Sequence, residues 1–326
     1  MNLKNTSYIM PTYSRQNLEF KKGKGCYLIS VKNIKYLDFG SGIAVNSLGH
    51  CHPILVKKLC SQVKKLWHTS NFYYSSEQED FAKILCENSF AEKIFFTNSG
   101  TEAIEAGIKV VRSYHHHHKN FKKKNIITFD GAFHGRTFGA LSAQMNEKYS
   151  SNFQPLMAGF KKIKFNDIDL LKKNIDDQTS AIMIEPVQGE GGILAADLKF
   201  LSKIKKICDQ NNILFFLDEV QSGFGRTGKL FAYEWTDFEP DVIATAKGIG
   251  SGFPLGACMA TNNASIGMTQ GMHGSTYGGN PLAISVGIEV LKFILQENFL
   301  ENVDNISRYF WKHLKEFEKK YEEIIE

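Results

Sequence analysis

The sequence is poor in proline and in closely spaced cysteines, and these shortages exclude several classes of protein. Only 7 of 326 residues are proline, and neither an internal repeat nor a low-complexity linker is visible, so a repeat array or a disordered chain is excluded. The 6 cysteines lie far apart and form no Cys-x-x-Cys pair, which argues against a zinc knuckle or a redox dithiol. Since no secretion signal precedes them, we expect a reducing compartment.

Long apolar runs and a strong charge of one sign are also missing. No run approaches the roughly 18 apolar residues that a membrane span requires, so we expect a soluble cytoplasmic protein with no membrane partner. Lys and Arg number 39 and Asp and Glu 34, which leaves a net charge of +5. Because the lysines are scattered among acids, this balance favours no nucleic-acid partner. At roughly 150 residues per domain, the length suggests about two domains with an ample core.

What the sequence does contain is a regular alternation of short apolar runs and amphipathic stretches. The apolar runs are rich in Ile, Phe and Val and predict buried strands at 93–97, 125–129, 181–185, 213–218, 241–245 and 255–260. Apolar residues three and four apart predict helices at 102–114, 198–210 and 282–295. This succession predicts an α/β fold with a mostly parallel central sheet and helices on both faces. Ligands bind beyond the carboxyl ends of such strands.

The segment that follows the first of these strands suits a phosphate. Ser99, Gly100 and Thr101 open a helix, where free backbone N–H groups, two hydroxyls and the positive end of the helix dipole come together. The alternative is an ordinary N-cap with Glu102 in the first helical turn.

Two further strand ends carry polar and aromatic side chains. Phe133, His134 and Arg136 follow the second strand among glycines, a set suited to stacking on a flat group and binding an anion, although a turn around a packed Phe would look similar. Glu185 and Glu190 follow the third strand in a Gly-rich loop. They are candidate acid/base catalysts or partners for a basic group, and the alternative is exposure to solvent. Glu185 ends an apolar strand directly and therefore needs a partner.

The next strand end resembles a dinucleotide-binding motif. Gly223, Gly225 and Gly228 match the pattern G-x-G-x-x-G, and Asp241 follows. However, five residues separate the strand from the first glycine, and no strong helix start follows the last. A nucleotide-dependent dehydrogenase is therefore kept only as the rival from a different class.

Lys247 is the last of these strand-end residues. It follows its strand among apolar and glycine neighbours, whereas most lysines prefer water. Such a lysine is a candidate amine nucleophile towards an aldehyde, and the alternative is a solvated loop lysine. Taken together, the strand ends suit an aromatic aldehyde with a phosphate and a ring nitrogen. Asp218 would pair with that nitrogen and Phe133 or His134 would stack on the ring, which describes a pyridoxal phosphate site.

The chain resembles the class III aminotransferases of fold type I. The matching stretches are NSGTEA at 98–103, GAFHGRT at 131–137, EPVQGEGG at 185–192, DEVQSGFGRTG at 218–228 and GSTYGGNPLA at 274–283. Near the N-terminus, LDF at 37–39 and GIAVNSLGH at 42–50 are similar to the members that act on N-acetylornithine. The resemblance spans essentially every residue and comprises five motifs in family order.

The resemblance implies pyridoxal 5'-phosphate as cofactor and a homodimer with shared active sites. Lys247 and Asp218 are then catalytic: Lys247 holds the cofactor as a Schiff base and later moves a proton, and Asp218 keeps the ring nitrogen protonated. Thr276 reaches the phosphate from the second subunit. The implied cofactor-binding residues are Ser99, Gly100, Thr101, Phe133, His134, Asp218, Gln221, Lys247 and Thr276.

The implied substrate-binding residues are Arg136, Glu190 and Ser275. Arg136 would bind the α-carboxylate of the small amino-acid or 2-oxo-acid substrate. Glu190 would neutralise a second, C-terminal arginine while the amino donor is bound, and would release it when 2-oxoglutarate arrives. The arginines of this chain lie outside the motif expected for that second group: Arg15, Arg112, Arg136, Arg226 and Arg308.

The implied reaction converts N-acetylornithine and 2-oxoglutarate to N-acetylglutamate semialdehyde and glutamate, a step of arginine biosynthesis. Ornithine and succinyl-diaminopimelate are the alternative donors, and Gly42 favours an acylated donor because ornithine-specific members carry a bulky aromatic about there. The implied domains are an N-terminal segment of a small domain (1–50), a large cofactor-binding domain (51–285) and the start of the C-terminal part of an α+β small domain (286–326). We expect this last part to be incomplete.

Two histidine-rich stretches are the candidates for a metal. His50, Cys51 and His52 belong to the family's N-terminal pattern, and the histidines at 115–118 sit at the end of a predicted helix before a Lys-rich loop. We therefore expect no functional metal.

Overall fold

The computed structural model describes residues 8–321 of the chain. The strands are β1 (Phe20–Lys24), β2 (Tyr27–Ser30), β3 (Lys35–Leu37), β4 (Lys93–Thr97), β5 (Asn125–Phe129), β6 (Phe160–Ile163), β7 (Thr179–Ile184), β8 (Val187–Gln188), β9 (Leu194–Ala195), β10 (Leu214–Asp218), β11 (Val242–Thr245) and β12 (Gly256–Ala260). The helices are α1 (Ser41–Ala44), α2 (Pro53–Gln62), α3 (Ser76–Glu87), α4 (Gly100–His117), α5 (Phe138–Gln144), α6 (Glu147–Ser150), α7 (Ile168–Asn174), α8 (Leu198–Asn211), α9 (Asn262–Ser265), α10 (Pro281–Ile294) and α11 (Phe299–Lys320).

The central sheet has the strand order β4-β12-β11-β10-β7-β5-β6. The pairings from β11 to β6 are parallel, whereas β12 runs antiparallel to both β11 and β4. All strands of this sheet except β12 therefore point the same way, and the prediction of a mostly parallel α/β sheet is confirmed. The carboxyl ends of β4, β5, β7, β10 and β11 consequently lie along one edge.

The middle strands are apolar on both sides because both faces of the sheet are covered. In β7, Ile182 and Ile184 pack in one core cluster while Ala181 and Met183 pack in the other. Since successive side chains of a strand point to opposite faces, these clusters lie on the two sides of the sheet. The first cluster includes residues of α3, α8 and α10, and the second includes residues of α4, α5 and α9.

Local capping residues fix where the main helices begin. The Ser99 side chain caps α4, Asp197 caps α8, and Asn280 caps α10, which also has Pro281 at its first position. Helix α4 lies so close to β10 that a Cβ at Gly107 would come within 2.2 Å of the Phe216 ring. The middle of α4 is therefore held against the strand that ends in Asp218.

Several elements were missed by the sequence prediction. Strand β6 contains Lys161 and Lys162, which hide the apolar pattern of a strand at the sheet edge. Strands β1 to β3 form a separate antiparallel sheet whose residues are largely exposed or half-buried. Near it, Phe39 stacks on Phe310 of α11 with ring centroids 6.2 Å apart. A segment near the start of the described residues thus contacts one near their end, and the small domain built from both termini stays a prediction.

None of the helices within residues 8–321 combines the length and the apolarity needed to cross a bilayer.

The buried carboxyl group of Glu219 holds together the loop after β10. Its oxygens accept hydrogen bonds from the backbone N–H groups of Ala232 (2.7 Å) and Tyr233 (3.0 Å) and from the Ser222 hydroxyl (3.0 Å). Burial raises the pKa of Glu219 to about 7, and these donors only partly oppose that rise. The folded protein therefore binds a proton here that an unfolded glutamate releases nearer pH 4.5.

We expect the free energy of unfolding of the wild type to fall relative to that of Glu219→Gln as the pH rises. Between pH 5 and pH 8 the wild type must ionise a buried group, which costs it about 2 to 3 kcal/mol of unfolding free energy relative to the variant. Urea unfolding of both proteins at the two pH values measures this difference in unfolding free energy, with the exposed Glu301→Gln as control. A difference that is equal at pH 5 and pH 8 would contradict the raised pKa of Glu219.

Candidate active site

The carboxyl edge of the sheet borders one cavity of about 430 Å³. Its lining brings together most of the strand-end residues that the sequence predicted: Ser99, Gly100, Thr101, Phe133, His134, Arg136, Glu190, Asp218, Gln221 and Lys247. The apolar part of the cavity wall includes Val45, Val220, Phe253, Pro254 and Leu255. The cavity therefore combines anion-binding, acidic and amine groups in a largely apolar setting.

The start of α4 forms one end of the cavity. The Ser99 hydroxyl accepts a hydrogen bond from the N–H of Glu102 at 3.4 Å, and the Glu102 carboxylate accepts one from the N–H of Asn98 at 2.6 Å. The ordinary capping interpretation is thus correct for these groups. It does not exclude a phosphate, because the first N–H groups of an 18-residue helix have no intrahelical acceptor and carry the positive end of its dipole.

Asp218 and His134 form a buried ion pair at the floor of the cavity. His134 Nδ1 lies 2.7 Å from Asp218 Oδ2, and the side chains are 0% and 3% exposed. The second carboxylate oxygen of Asp218 accepts the N–H of Val220 at 3.0 Å. Burial lowers the pKa of His134, but the hydrogen bond and charge of Asp218 outweigh it and the net pKa is raised. Asp218 is therefore held in a fixed orientation by a buried imidazole whose protonated form it favours.

Lys247 projects from a strained turn directly after β11. Its φ of 50° lies in the left-handed region, and its carbonyl accepts the N–H groups of Gly250 and Ser251, both at 3.1 Å. Burial lowers the pKa of the Lys247 amine, and the carboxylates of Asp218, Glu190 and Glu185 oppose this only in part. A lowered pKa brings the amine closer to its neutral, nucleophilic form.

Arg136 is held at the cavity by aromatic rings. Its guanidinium carbon lies 3.9 Å from the Tyr149 ring centroid and 5.4 Å from that of Phe133. A guanidinium attracted to aromatic rings can still donate its N–H groups to a carboxylate. Tyr149 was missed by the sequence analysis, since it lies in a different segment and carries no motif of its own.

Gln221 packs tightly against the loop that carries Glu190. A Cβ at Gly189 would lie 1.7 Å from Gln221 Oε1, so any larger residue there would displace the amide end of Gln221. Glu185 also lines the cavity, where its Oε2 accepts the N–H of Phe133 at 2.9 Å. The expectation that Glu185 needs a partner is met by this bond, although no local pattern identified the Phe133 N–H as that partner.

Ser275 and Thr276 are placed elsewhere. They line two neighbouring cavities rather than the central one, together with residues such as His273 and Gly274. Ser275 is linked to the site through its Oγ, which lies 3.3 Å from Asn98 Nδ2. Within one chain, the structure therefore brings neither Thr276 to the predicted phosphate site nor Ser275 to the predicted substrate site.

The glycine-rich segment 223–228 does not have the geometry of a dinucleotide site. It forms successive turns and leads into a short 3₁₀ helix at Ala232–Trp235, with no α-helix between them. The Asp241 carboxylate is already engaged, because it accepts the N–H of Phe215 at 2.7 Å and lies 3.6 Å from Lys205 Nζ. This geometry argues against the dehydrogenase alternative.

The histidine-rich stretches are bound to other groups. His50 Nε2 lies 2.7 Å from Asp38 Oδ2, and His115 Nε2 lies 2.8 Å from the Ser180 carbonyl oxygen. Between residues 8 and 321, no group of three or more His, Cys, Asp or Glu side chains is arranged to hold a metal ion.

Comparison of the sequence with known proteins gives one consistent family. The profile described as "Aminotransferase class-III" matches residues 9–326. The acetylornithine aminotransferase of Agrobacterium fabrum is 49% identical over 318 residues, which cover 98% of this chain and 80% of that protein. The acetylornithine aminotransferase of Clostridium acetobutylicum is 46% identical over 319 residues, covering 98% and 82%.

Solved structures agree with this result. The N-acetylornithine aminotransferase of Stenotrophomonas maltophilia is similar with a TM-score of 0.83 and 34% identity, covering 96% of this chain and 78% of that one. The ornithine aminotransferase of Toxoplasma gondii gives a TM-score of 0.91 at 29% identity, covering 95% and 74%, and its structure is described as having pyridoxal phosphate at partial occupancy in the active site.

Proposed function

Since the chain belongs to the class-III aminotransferase family, we propose that it transfers the amino group of N-acetylornithine to 2-oxoglutarate with pyridoxal 5'-phosphate as cofactor. The observation that carries this proposal is the cavity that places Lys247, the Asp218–His134 pair and the start of α4 around one space. The donor is chosen because the relatives at 46 to 49% identity are acetylornithine aminotransferases.

The residues of the cavity fit this cofactor. Gly135 has a φ of 133°, and a Cβ there would lie 2.3 Å from the Thr101 hydroxyl, so the backbone forms a cradle that only glycine permits beside the start of α4. The N–H groups and hydroxyls of Ser99, Gly100 and Thr101 suit the phosphate. Phe133 offers an aromatic face, and Gln221 offers an amide to the ring hydroxyl.

Pyridoxal phosphate supplies an aldehyde that accepts the amino group and a ring that delocalises the electrons left on the donor α-carbon. Lys247 would hold the cofactor and, once displaced by the donor, would take and return a proton at its Nζ. The lowered pKa of its amine favours both roles. Asp218, oriented by His134, would hold a proton on the ring nitrogen.

Substrate recognition is proposed for Arg136 and Glu190. Among the arginines within residues 8–321, Arg136 alone lines the cavity, and its guanidinium beside Tyr149 can bind a carboxylate through two N–H groups. Arg226 instead donates to the Ala44 carbonyl at 3.4 Å, and Arg308 pairs with Asp304 at 2.8 Å. Glu190 would balance a second basic group as the donor and acceptor alternate.

A homodimer is proposed because Ser275 and Thr276 lie outside the cavity of their own chain. A second copy would bring Thr276 to the phosphate, and Ser275 to the substrate, of the neighbouring site. We place this dimer in the cytoplasm and assign cofactor binding to a large domain at 51–285, flanked by small-domain segments.

Half-reactions with single donors test the proposed function. We expect acetylornithine to convert the yellow enzyme to its pyridoxamine form with a kcat/KM at least about tenfold above that for ornithine or succinyl-diaminopimelate, since one pocket discriminates such donors by about 1–3 kcal/mol. Stopped-flow absorbance of the purified holoenzyme measures this. A preference for either of the other donors would refute the proposed substrate, whereas protein that binds no pyridoxal phosphate would refute the proposed activity.

A further inference from the structure

Glu185 is a buried carboxyl group in the cavity that the steps above do not use. It follows the last residue of β7 and is 6% exposed. Its Oε2 accepts the backbone N–H of Phe133 at 2.9 Å, a contact between residues 52 positions apart. It is rare for a glutamate to be this buried without a specific role.

The segment that carries Phe133 is tied down by buried side chains from three elements. Beside the bond from Glu185, the N–H of His134 donates to Gln144 Oε1 at the end of α5, at 3.0 Å. Gln188 of β8 donates its Nε2 to the Asp130 carbonyl at 2.8 Å. Gln144 and Gln188 are each 1% exposed. Glu185 is the acidic member of this set and holds the Ala132–Phe133 peptide.

That peptide leads directly into two parts of the site. The ring of Phe133, whose own N–H is held, lines the cavity, and the next residue, His134, forms its 2.7 Å bond to Asp218. A shift of the Phe133 N–H would therefore move both the stacking face and the pair that faces the ring nitrogen. We propose that Glu185 is a positioning residue of the cofactor site, which fixes Phe133 and the His134–Asp218 pair through the Phe133 N–H. This inference rests on the cofactor proposed above.

The charge of Glu185 is not what this role requires. Burial raises the pKa of Glu185 to about 7, with Asp218 adding to the rise and the cationic His134 opposing it. Asp218, His134 and Lys247 are the titratable groups around it. An oxygen of the group can accept the N–H in both the neutral and the charged form. An amide of the same shape should therefore replace it, whereas an apolar side chain should not.

Two substitutions at one position test the inference. Apoprotein of the wild type, Glu185→Gln and Glu185→Leu is titrated with pyridoxal 5'-phosphate, and visible circular dichroism is recorded at saturating cofactor. We expect Glu185→Leu to bind the cofactor about ten- to a hundredfold more weakly and to lose most of the visible circular dichroism, which reports a fixed ring orientation. Glu185→Gln should keep the cofactor affinity and the visible circular dichroism of the wild type. Gln188→Leu is the matched control, because it removes a buried hydrogen bond to the same segment without freeing the Phe133 N–H.

The outcomes separate this inference from the proposed function. Wild type that binds no pyridoxal phosphate refutes the function. The positioning role is overturned if the wild type binds pyridoxal phosphate and Glu185→Leu binds it with the same affinity and the same visible circular dichroism. The role is also overturned if Glu185→Gln loses as much as Glu185→Leu, or if Gln188→Leu loses as much cofactor affinity and circular dichroism. Should Glu185→Leu fail to fold, Glu185→Met carries the same test with an unbranched side chain.

Discussion

Lys247→Ala should abolish amino-group transfer, with kcat lower by about 10⁴-fold or more, because it removes both the covalent attachment of the cofactor and the group that moves the proton. Lys247 is suited to both tasks by its place after β11, where burial lowers the pKa of its amine. The left-handed turn at Lys247, with two N–H groups on its carbonyl, fixes where the side chain emerges. No other lysine lines the cavity within residues 8–321.

Borohydride reduction followed by peptide mapping identifies the attachment site. The wild type should carry a pyridoxyl group on Lys247, and Lys247→Ala should carry none while still binding cofactor without a covalent bond. Lys172→Ala, an exposed change on α7, is the matched control and should behave like the wild type. Full activity of Lys247→Ala, or a pyridoxyl group on another lysine of the wild type, would contradict the assignment.

The central sheet could be predicted from sequence because its strands are buried on both sides. A strand such as β7, with Ala181 to Ile184 all buried, leaves a continuous apolar run that no surface element imitates. Where one side meets solvent, the signal fails. Strand β6 carries two lysines, and most residues of β1 are exposed, so their pairing depends on neighbours that the local pattern does not reveal.

The site was predictable to the extent that it follows strand ends. Asp218 and Lys247 each come directly after or at the end of a strand, and parallel strands bring these ends to one edge. Partners across the fold were not predictable. Glu185 bonds to Phe133, and Tyr149 stacks on Arg136, through contacts that the chain order does not encode. The proposed role of Thr276 in binding the phosphate depends on a second copy of the chain.

The ion pair of Asp218 and His134 leads to the second large expected effect. Asp218→Asn keeps the shape of the side chain but removes the negative charge that faces the proposed ring nitrogen. The His134 imidazole is 0% exposed and Asp218 raises its pKa, so the variant also loses the group that favours the protonated imidazole. We expect kcat for the donor half-reaction to fall on the order of 10³-fold, the scale seen when a charged hydrogen-bond partner is neutralised in a buried site.

The effect of Asp218→Asn should appear in kcat and much less in cofactor affinity, because the phosphate contacts at the start of α4 remain. Single-turnover absorbance with acetylornithine measures the rate, and titration of the apoprotein measures the affinity. Asp130→Asn is the matched control: its carboxylate lies at the same edge of the sheet but is 56% exposed and pairs with Lys162 at 3.4 Å. The proposed role of Asp218 is contradicted if Asp218→Asn reacts at the wild-type rate. It is also contradicted if Asp130→Asn loses as much of the single-turnover rate as Asp218→Asn does. A loss confined to Asp218→Asn would instead show that one buried carboxylate, whose orientation depends on His134, keeps the ring nitrogen protonated and the ring electron-withdrawing.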